Sequence, residues 1–274
     1  MSNKLKTCFL ISVYINDNLE DFKKAIDSCI NQTVLANRII IVFDGAVKES
    51  ISNYCNNIKS IINIEIVKCT NNVGLGAALN KGFKYVKEDI VIRMDSDDIS
   101  RSNRVEKIID FFYKNPNIGV VGSYISEFNE SIGDMSNIRE VPLDSTSILN
   151  QLKFSCPFNH VSVAFKFNFL PSNPYEINYY RLEDYPTWYK LLVKHGLKSA
   201  NIDEVLVDVK LGKDFFNKRK GLKLYKSWFR VYSVMYNDNY INFLILLRNN
   251  IIRFIQFNLL PKKILMLMYN LYRK

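Results

Sequence analysis

The first hundred residues repeat one pattern, and that pattern limits the fold more than any other feature of the chain. Short apolar runs at 8–14 (CFLISVY), 38–43 (RIIIVF), 63–67 (NIEIV) and 89–94 (DIVIRM) alternate with stretches whose apolar residues fall at helical spacing, 19–31, 47–58 and 76–87. Runs of that length, rich in Ile and Val, read as buried strands. In the first helix Leu19, Phe22, Ala25, Ile26, Cys29 and Ile30 share one face. Strands separated by helices connect through right-handed crossovers into a largely parallel sheet. Such sheets bind ligands beyond the carboxyl ends of their strands. The informative residues are therefore Tyr14 onward, Asp44-Gly45, and Asp95 to Asp98.

The second half is less regular. Residues 118–127 and 161–167 read as further strands, 183–195 as a helix stopped by Gly196, and 203–209 as a last strand. From about 213 onward the pattern is helical and basic, interrupted only by Gly221 and Pro261. No internal repeat or low-complexity tract is visible.

Charge separates the chain more sharply than hydropathy does. Of the net +10, residues 1–209 contribute −2 and residues 210–274 contribute +12, with Asp214 and Asp238 the only acids in the latter stretch. A nucleic-acid binder more often carries its basic stripe on the folded face. A basic tail interleaved with Leu, Ile, Phe and Tyr points instead to an anionic membrane surface. The five cysteines, Cys8, Cys29, Cys55, Cys69 and Cys156, share no C-x-x-C spacing and read as free thiols of a reducing compartment. The N-terminus runs directly into an apolar stretch too short for a signal peptide, so the chain is expected in the cytoplasm.

Asp95-Ser96-Asp97-Asp98 is the strongest single motif. It follows the strand at 89–94 and precedes a helix starting near Arg101. Three carboxylates in four residues repel one another unless a cation neutralises them. Mg²⁺ and Mn²⁺ take oxygen ligands and bridge carboxylates to substrate phosphates. A helix N-cap explains one of the three acids but not all of them.

The order of motifs resembles the family-2 glycosyltransferases, and within them the bacterial enzymes that build O-antigen and exopolysaccharide repeat units. Those motifs are Ser12-Val13-Tyr14 at the first strand end, Asn31-Gln32-Thr33 at a helix end, and Ile39-Ile40-Ile41-Val42-Phe43-Asp44-Gly45. They continue with Asn72-Val73-Gly74-Leu75 and Ala78-Leu79-Asn80-Lys81-Gly82, then the acidic turn, then Glu183-Asp184 with Trp188. The resemblance runs from about residue 7 to residue 230. It implies a GT-A fold: α/β, Rossmann-like, with a mostly parallel central sheet flanked by helices. The catalytic domain would span 1–212, its nucleotide-binding half about 1–100 and its acceptor half about 101–212. Residues 213–274 would form a basic amphipathic helical extension that associates with membrane.

The resemblance also implies roles. Asp44 would accept a hydrogen bond from uracil, with Ser12 and Tyr14 lining the base pocket and Asn72 near the nucleotide. Phe43 stands where many members have a first Asp. Asp95 and Asp97 would meet the nucleotide-sugar, and Asp97 with Asp98 the metal, Mn²⁺ or Mg²⁺. Asp184 matches the base that removes the acceptor hydroxyl proton, while Glu183, His160 and Arg219 are candidates for acceptor or diphosphate contacts. In the basic cluster Lys213, Lys218, Arg219, Lys220, Lys223 and Lys226, diphosphate contact, lipid contact and plain solvation all stay open.

Residues 241–260 are apolar but interrupted by Arg248, Asn249, Asn250, Arg253 and Gln256. Two mid-helix arginines are costly in a spanning helix. Asn242, Asn249, Arg253 and Gln256 share one face, and Leu244, Leu247, Ile251 and Ile255 another, which suits a helix lying in the interface. An oligomer contact or packing on the domain are the alternatives. The expected activity is inverting transfer of a hexose, galactose or glucose in β1,3 linkage, from a UDP-sugar to a polyprenyl-diphosphate-linked glycan, at the inner face of the plasma membrane. One rival is a sugar-phosphate nucleotidyltransferase, disfavoured because Ile15-Asn16-Asp17-Asn18 has no Gly or Lys to hold a triphosphate. The other is a non-catalytic, membrane-docked nucleotide-sugar-binding protein.

Overall fold

A computed structural model describes residues 5–59, 62–135, 137–212 and 220–271. The expected alternation appears as β1 (Thr7–Val13), α1 (Leu19–Ile30), β2 (Arg38–Phe43), α2 (Glu49–Ile58), β3 (Ile64–Lys68), α3 (Leu75–Phe83) and β4 (Ile90–Met94). These strands pair in parallel in the order β3-β2-β1-β4. Successive β1 residues point to opposite faces: Cys8 and Leu10 join one apolar layer, Phe9, Ile11 and Val13 the other. Helices α1, α2 and α4 (Arg104–Lys114) cover the second layer, and α3 covers the first. Both sheet faces are therefore buried, which accounts for the unbroken apolar runs.

The second half builds on β4 in a different sense. β6 (Val120–Phe128) and β9 (Ser199–Lys210) run parallel to each other, but β8 (Ala164–Lys166) lies between β4 and β6 and is antiparallel to both. Two short strands complete the sheet: β5 (Ile99–Ser100) pairs antiparallel with β9, and β7 (Ile138–Arg139) with β6. The parallel character expected of the whole sheet thus belongs to the nucleotide-side half. Antiparallel insertion folds the chain back, so that the start of α6 (Asp184–Tyr189) shares a mouth with the β4 end. α5 (Ser145–Leu152), absent from the sequence reading, begins at Asp144, whose carboxylate accepts from the Thr146 and Ser147 amides at 3.0 Å each.

The C-terminal helices are joined to this body. α7 (Leu222–Asn237) buries Leu224, Trp228, Val231, Tyr232 and Met235 in the layer that also holds Tyr185 and Trp188 of α6. Tyr185 and Trp228 rings lie 4.7 Å apart. α8 (Phe243–Phe254) and α9 (Lys262–Leu271) follow. Among the described residues no helix is long and apolar enough to cross a membrane.

Candidate active site

β1, β2 and β4 all end at one edge of the sheet, and their last residues form the floor of a cleft. At the end of β2, the Asp44 carboxylate accepts from the Val73 amide at 2.7 Å and the Gly74 amide at 3.0 Å. The Asn72 side chain donates back to the Asp44 carbonyl at 3.3 Å. Gly45 holds φ +78°, and a Cβ there would sit 2.5 Å from the Asn72 nitrogen, so only glycine lets the two loops touch. The buried Asp44 is therefore already engaged as the clamp of the 72–74 loop, rather than standing free as a turn acid. Asn72 is exposed beside it, and Ser12 and Tyr14 are half-buried at the end of β1.

The acidic turn separates into three carboxylates with three environments. Asp95 is forked onto the guanidinium of Arg93, with one contact at 2.6 Å. Arg93 is buried, so the cation that neutralises this acid comes from the strand itself. Asp98 is also buried and accepts from the Lys210 amide at 2.9 Å; burial and its two acidic neighbours push its carboxyl far up. Asp97 alone is exposed. Desolvation and the charges of Asp95, Asp17 and Asp21 push it up to about 7. Beneath the turn, the fully buried Arg104 donates to the carbonyls of Arg93 at 2.8 Å and Val161 at 2.9 Å, and burial lowers its pKa to about 9.

Asp17, in the segment that follows β1, belongs to this group. Its carboxylate accepts from the Tyr14 amide at 3.0 Å and the Ser96 hydroxyl at 2.9 Å, tying the β1 end to the turn. Among the described residues no three His, Cys, Asp or Glu side chains converge as a closed metal cage. The arrangement still fits a hard divalent ion of the open kind, which takes one or two carboxylates and fills its remaining positions with phosphate and water. Asp97 is the carboxylate with room to bind, and Asp98 stands behind it.

Across the cleft lie Glu183 and Asp184, at the start of α6. Asp184 accepts from the Tyr185 amide at 2.8 Å and from the Cys156 thiol at 3.4 Å. Burial and the adjacent Asp184 push Glu183 up to about 7, and Asp95 adds to the rise, so the two acidic motifs feel one another's charge. α3 presses against this segment: a Cβ on Gly76 would meet the Glu176 carbonyl at 2.9 Å and Glu183 Cβ at 3.2 Å. Asn80, one turn further along α3, bonds both the amide and the carbonyl of Tyr175 at 2.8 Å.

His160 packs against Tyr175, whose hydroxyl feels the charges of both acidic groups. Its Nε2 lies 2.8 Å from the Tyr175 hydroxyl, and its ring meets Trp188 edge-on at 5.9 Å. Burial and the nearby Arg93 cation hold it neutral. Arg219, with Lys213 and Lys218, lies outside the described residues. The structure thus brings together Ser12, Tyr14, Asp44 and Asn72 on one side, the turn at the centre, and His160, Glu183 and Asp184 on the other. Sequence reasoning missed Asp17, Arg93, Cys156, Tyr175 and Asn80 as parts of the site. One signal was present, an arginine inside the apolar run Ile90–Met94.

A half-parallel α/β sheet with a carboxylate turn at the β4 end, facing a second acidic pair, defines a GT-A nucleotide-sugar transferase. Comparison with known proteins agrees: the pattern described as Glycosyl transferase family 2 matches residues 8–170. The chain belongs to that family, and it is a transferase of the bacterial O-antigen and exopolysaccharide type. It is 37% identical to an Escherichia coli protein named UDP-Gal:alpha-D-GlcNAc-diphosphoundecaprenol beta-1,3-galactosyltransferase, across 87% of this chain and 86% of that one. It is 33% identical to the amylovoran biosynthesis glycosyltransferase AmsE of Erwinia amylovora, over 81% and 83% of the two chains. Among solved structures, S. aureus TarS 1–349 in complex with UDP-GlcNAc superposes with a TM-score of 0.68 over 92% of this chain and 73% of that one. At 13% identity that likeness concerns the fold. Family membership decides against the nucleotidyltransferase rival.

Proposed function

We propose that the protein transfers a hexose, galactose or glucose, from a UDP-sugar to a sugar carried on polyprenyl diphosphate, forming a β1,3 linkage with inversion. The observation that carries this reading is the 37% identity to the E. coli galactosyltransferase, which extends over nearly the whole of both chains. Transfer would occur at the cytoplasmic face of the membrane, as one step in assembling a surface polysaccharide repeat unit.

The donor side follows from the floor of the cleft. Ser12 and Tyr14 line the base pocket with the 72–74 loop, which Asp44 holds in place; each Asp44 oxygen keeps a lone pair for the uracil ring. Asp95, fixed by Arg93, meets the ribose and diphosphate region. Asp97, with Asp98 behind it, would hold Mn²⁺ or Mg²⁺, whose charge stabilises the diphosphate leaving group. On the acceptor side Asp184 is the base. As the acceptor oxygen bonds to the sugar C1, the bond from C1 to the diphosphate oxygen breaks, the hydroxyl proton passes to Asp184, and UDP leaves with the electron pair. Glu183 and His160 orient the acceptor. Neutral His160, fixed by Tyr175, serves as a hydrogen-bonding group rather than a cation.

A second reading, with Glu183 as the base, is favoured by one observation, its carboxyl raised to about 7. The test is incubation of the protein with a panel of UDP-sugars, Mn²⁺, and a lipid-diphosphate GlcNAc or GalNAc acceptor, read by mass. The expected product carries one added hexose. Absence of transfer from every UDP-hexose, with consumption of NTP and sugar phosphate instead, would overturn the reading.

A further inference from the structure

α8 is amphipathic, but its two faces are turned opposite to those of an ordinary surface helix. Asn249 is buried and donates to the Lys153 carbonyl at 2.8 Å, and Asn250 is buried beside it. Arg253 lies 4.0 Å from the centre of the Trp228 ring and donates to the Phe154 carbonyl at 3.3 Å. Arg248 stacks 5.1 Å from the Phe154 ring. The polar side thus grips the catalytic body through cation–π and amide contacts. The apolar side faces out: Phe243 is 58% exposed, Leu244 73%, Leu247 46% and Ile251 50%, and Leu259, beyond the helix end, 63%. Between α7 and α8, Phe243, Leu247 and Ile251 border a largely apolar groove of about 420 Å³, which Tyr225, Leu246 and Phe254 also line. Contiguous exposed apolar side chains of this kind mark an interaction site.

We propose that this face is the surface by which the protein docks on an anionic lipid bilayer. Charge identifies the occupant. No acid follows Asp238, while Lys223 and Lys226 stand exposed on α7 close to Leu222 and Phe229. Exposed apolar residues bordered by lysines match a leaflet with anionic headgroups, whose potential attracts each basic side chain near the surface. A second copy of the chain fits poorly, because two stretches of net charge +12 would be brought together. The twelve-residue α8 is about 18 Å long, too short to cross a hydrocarbon core of about 30 Å. On a bilayer it would lie in the interface rather than across it.

The inference rests on, and deepens, the reading of a lipid-linked acceptor, because the helix that carries this face is anchored to the acceptor side. Arg253 and Asn249 hold residues 153–154, and two residues further on Cys156 bonds Asp184. Docking through α8 would tether the acidic pair to the membrane that carries the acceptor diphosphate.

The test is co-sedimentation of the full chain with vesicles of phosphatidylcholine alone or mixed with phosphatidylglycerol, without donor or acceptor. Binding to the anionic vesicles is expected to exceed binding to the neutral ones at least about ten-fold and to weaken as salt rises. The triple variant Leu244→Glu, Leu247→Glu, Ile251→Glu should lose about ten-fold or more of that binding. Its melting temperature and its transfer to a water-soluble diphosphate-sugar acceptor should stay unchanged, since all three side chains are exposed. The charge variant Lys223→Gln, Lys226→Gln should lose a smaller share, and only on anionic vesicles. Equal binding by the wild type and the triple variant, or binding to neither vesicle, overturns the proposal. So does a wild-type dimer that the triple variant converts to a monomer. Vesicle binding that persists when no sugar is transferred to any acceptor would instead leave the docking surface standing and remove the proposed activity.

Discussion

Glu183 and Asp184 are adjacent in sequence but differ in what surrounds them. Asp184 accepts from an amide and a thiol, whereas Glu183 is pushed up to about 7 by burial and by Asp184. With Asp184 as base, Asp184→Asn should keep UDP-sugar binding and lower kcat by about 10²–10⁴-fold. Glu183→Gln, which resembles the neutral acid, should cost much less and flatten the alkaline limb of the pH–rate profile, where the native Glu183 ionises near 7. Steady-state kinetics from pH 5.5 to 8.5 separate the two, and unchanged turnover in Asp184→Asn would sink the assignment. Asp97 invites a different measurement. Its carboxyl binds a proton more tightly when folded, since its value rises from 3.8 to about 7. Its contribution to stability therefore declines as pH rises through that window and stays low above it. Asp97→Asn should raise the melting temperature of the metal-free protein at pH 8. The gain is at most about 1 kcal/mol, because the exposed side chain is screened, and the same variant should lose any stabilisation by Mn²⁺ with UDP.

At the level of elements, the site depends on α3 holding the 175–183 segment. Gly76 and Asn80 do this together, one by leaving no side chain and the other by two hydrogen bonds to Tyr175. Gly76→Ala should destabilise the fold by about 1–3 kcal/mol, because the new methyl meets a backbone carbonyl that cannot turn aside. It should also lower kcat more than it raises the donor KM, since it displaces Glu183 and not the base pocket; thermal melts and donor titrations check both. The sequence made some of this readable. The acidic turn and the Glu183-Asp184 pair are contiguous, and each follows or starts an element whose periodicity is plain. Asn80 and Tyr175 are 95 residues apart, and Asp17 and Ser96 are 79 apart. Those partnerships exist only once the sheet is assembled, and no local pattern encodes them. β5 and β7 are two residues long, too short for any period to show. In α8 the two faces were legible but not which one meets the protein, because periodicity carries no orientation.

Over the whole molecule, acids fall into two opposed groups, and their balance sets how stability depends on pH. Glu88, paired with Arg38, and Asp238, bonded to Lys194 and Tyr189, have lowered pKa values, as do the loop and cap acids Asp134 and Asp144. Their stabilisation is present above the ordinary carboxylate range and is lost as pH falls through their folded values. Asp17, Asp97, Asp98 and Glu183 are raised, chiefly by burial. Each of these takes up a proton on folding in the window above its unfolded value, so their share of stability falls as pH rises toward 7. The structural acids are scattered over the surface and the sheet edge, while the raised ones all line the cleft. The metal-free protein should thus melt highest at mildly acidic pH and lose several degrees between about pH 5 and 8. Mn²⁺ and UDP bind the deprotonated carboxylates, so their stabilisation should be largest at pH 8 and shrink toward pH 5. Melting curves across that range, with and without Mn²⁺ and UDP, test the balance. A ligand-induced shift of equal size at both ends would mean that the cleft carboxylates do not bind the metal nucleotide, and that the donor is held without them.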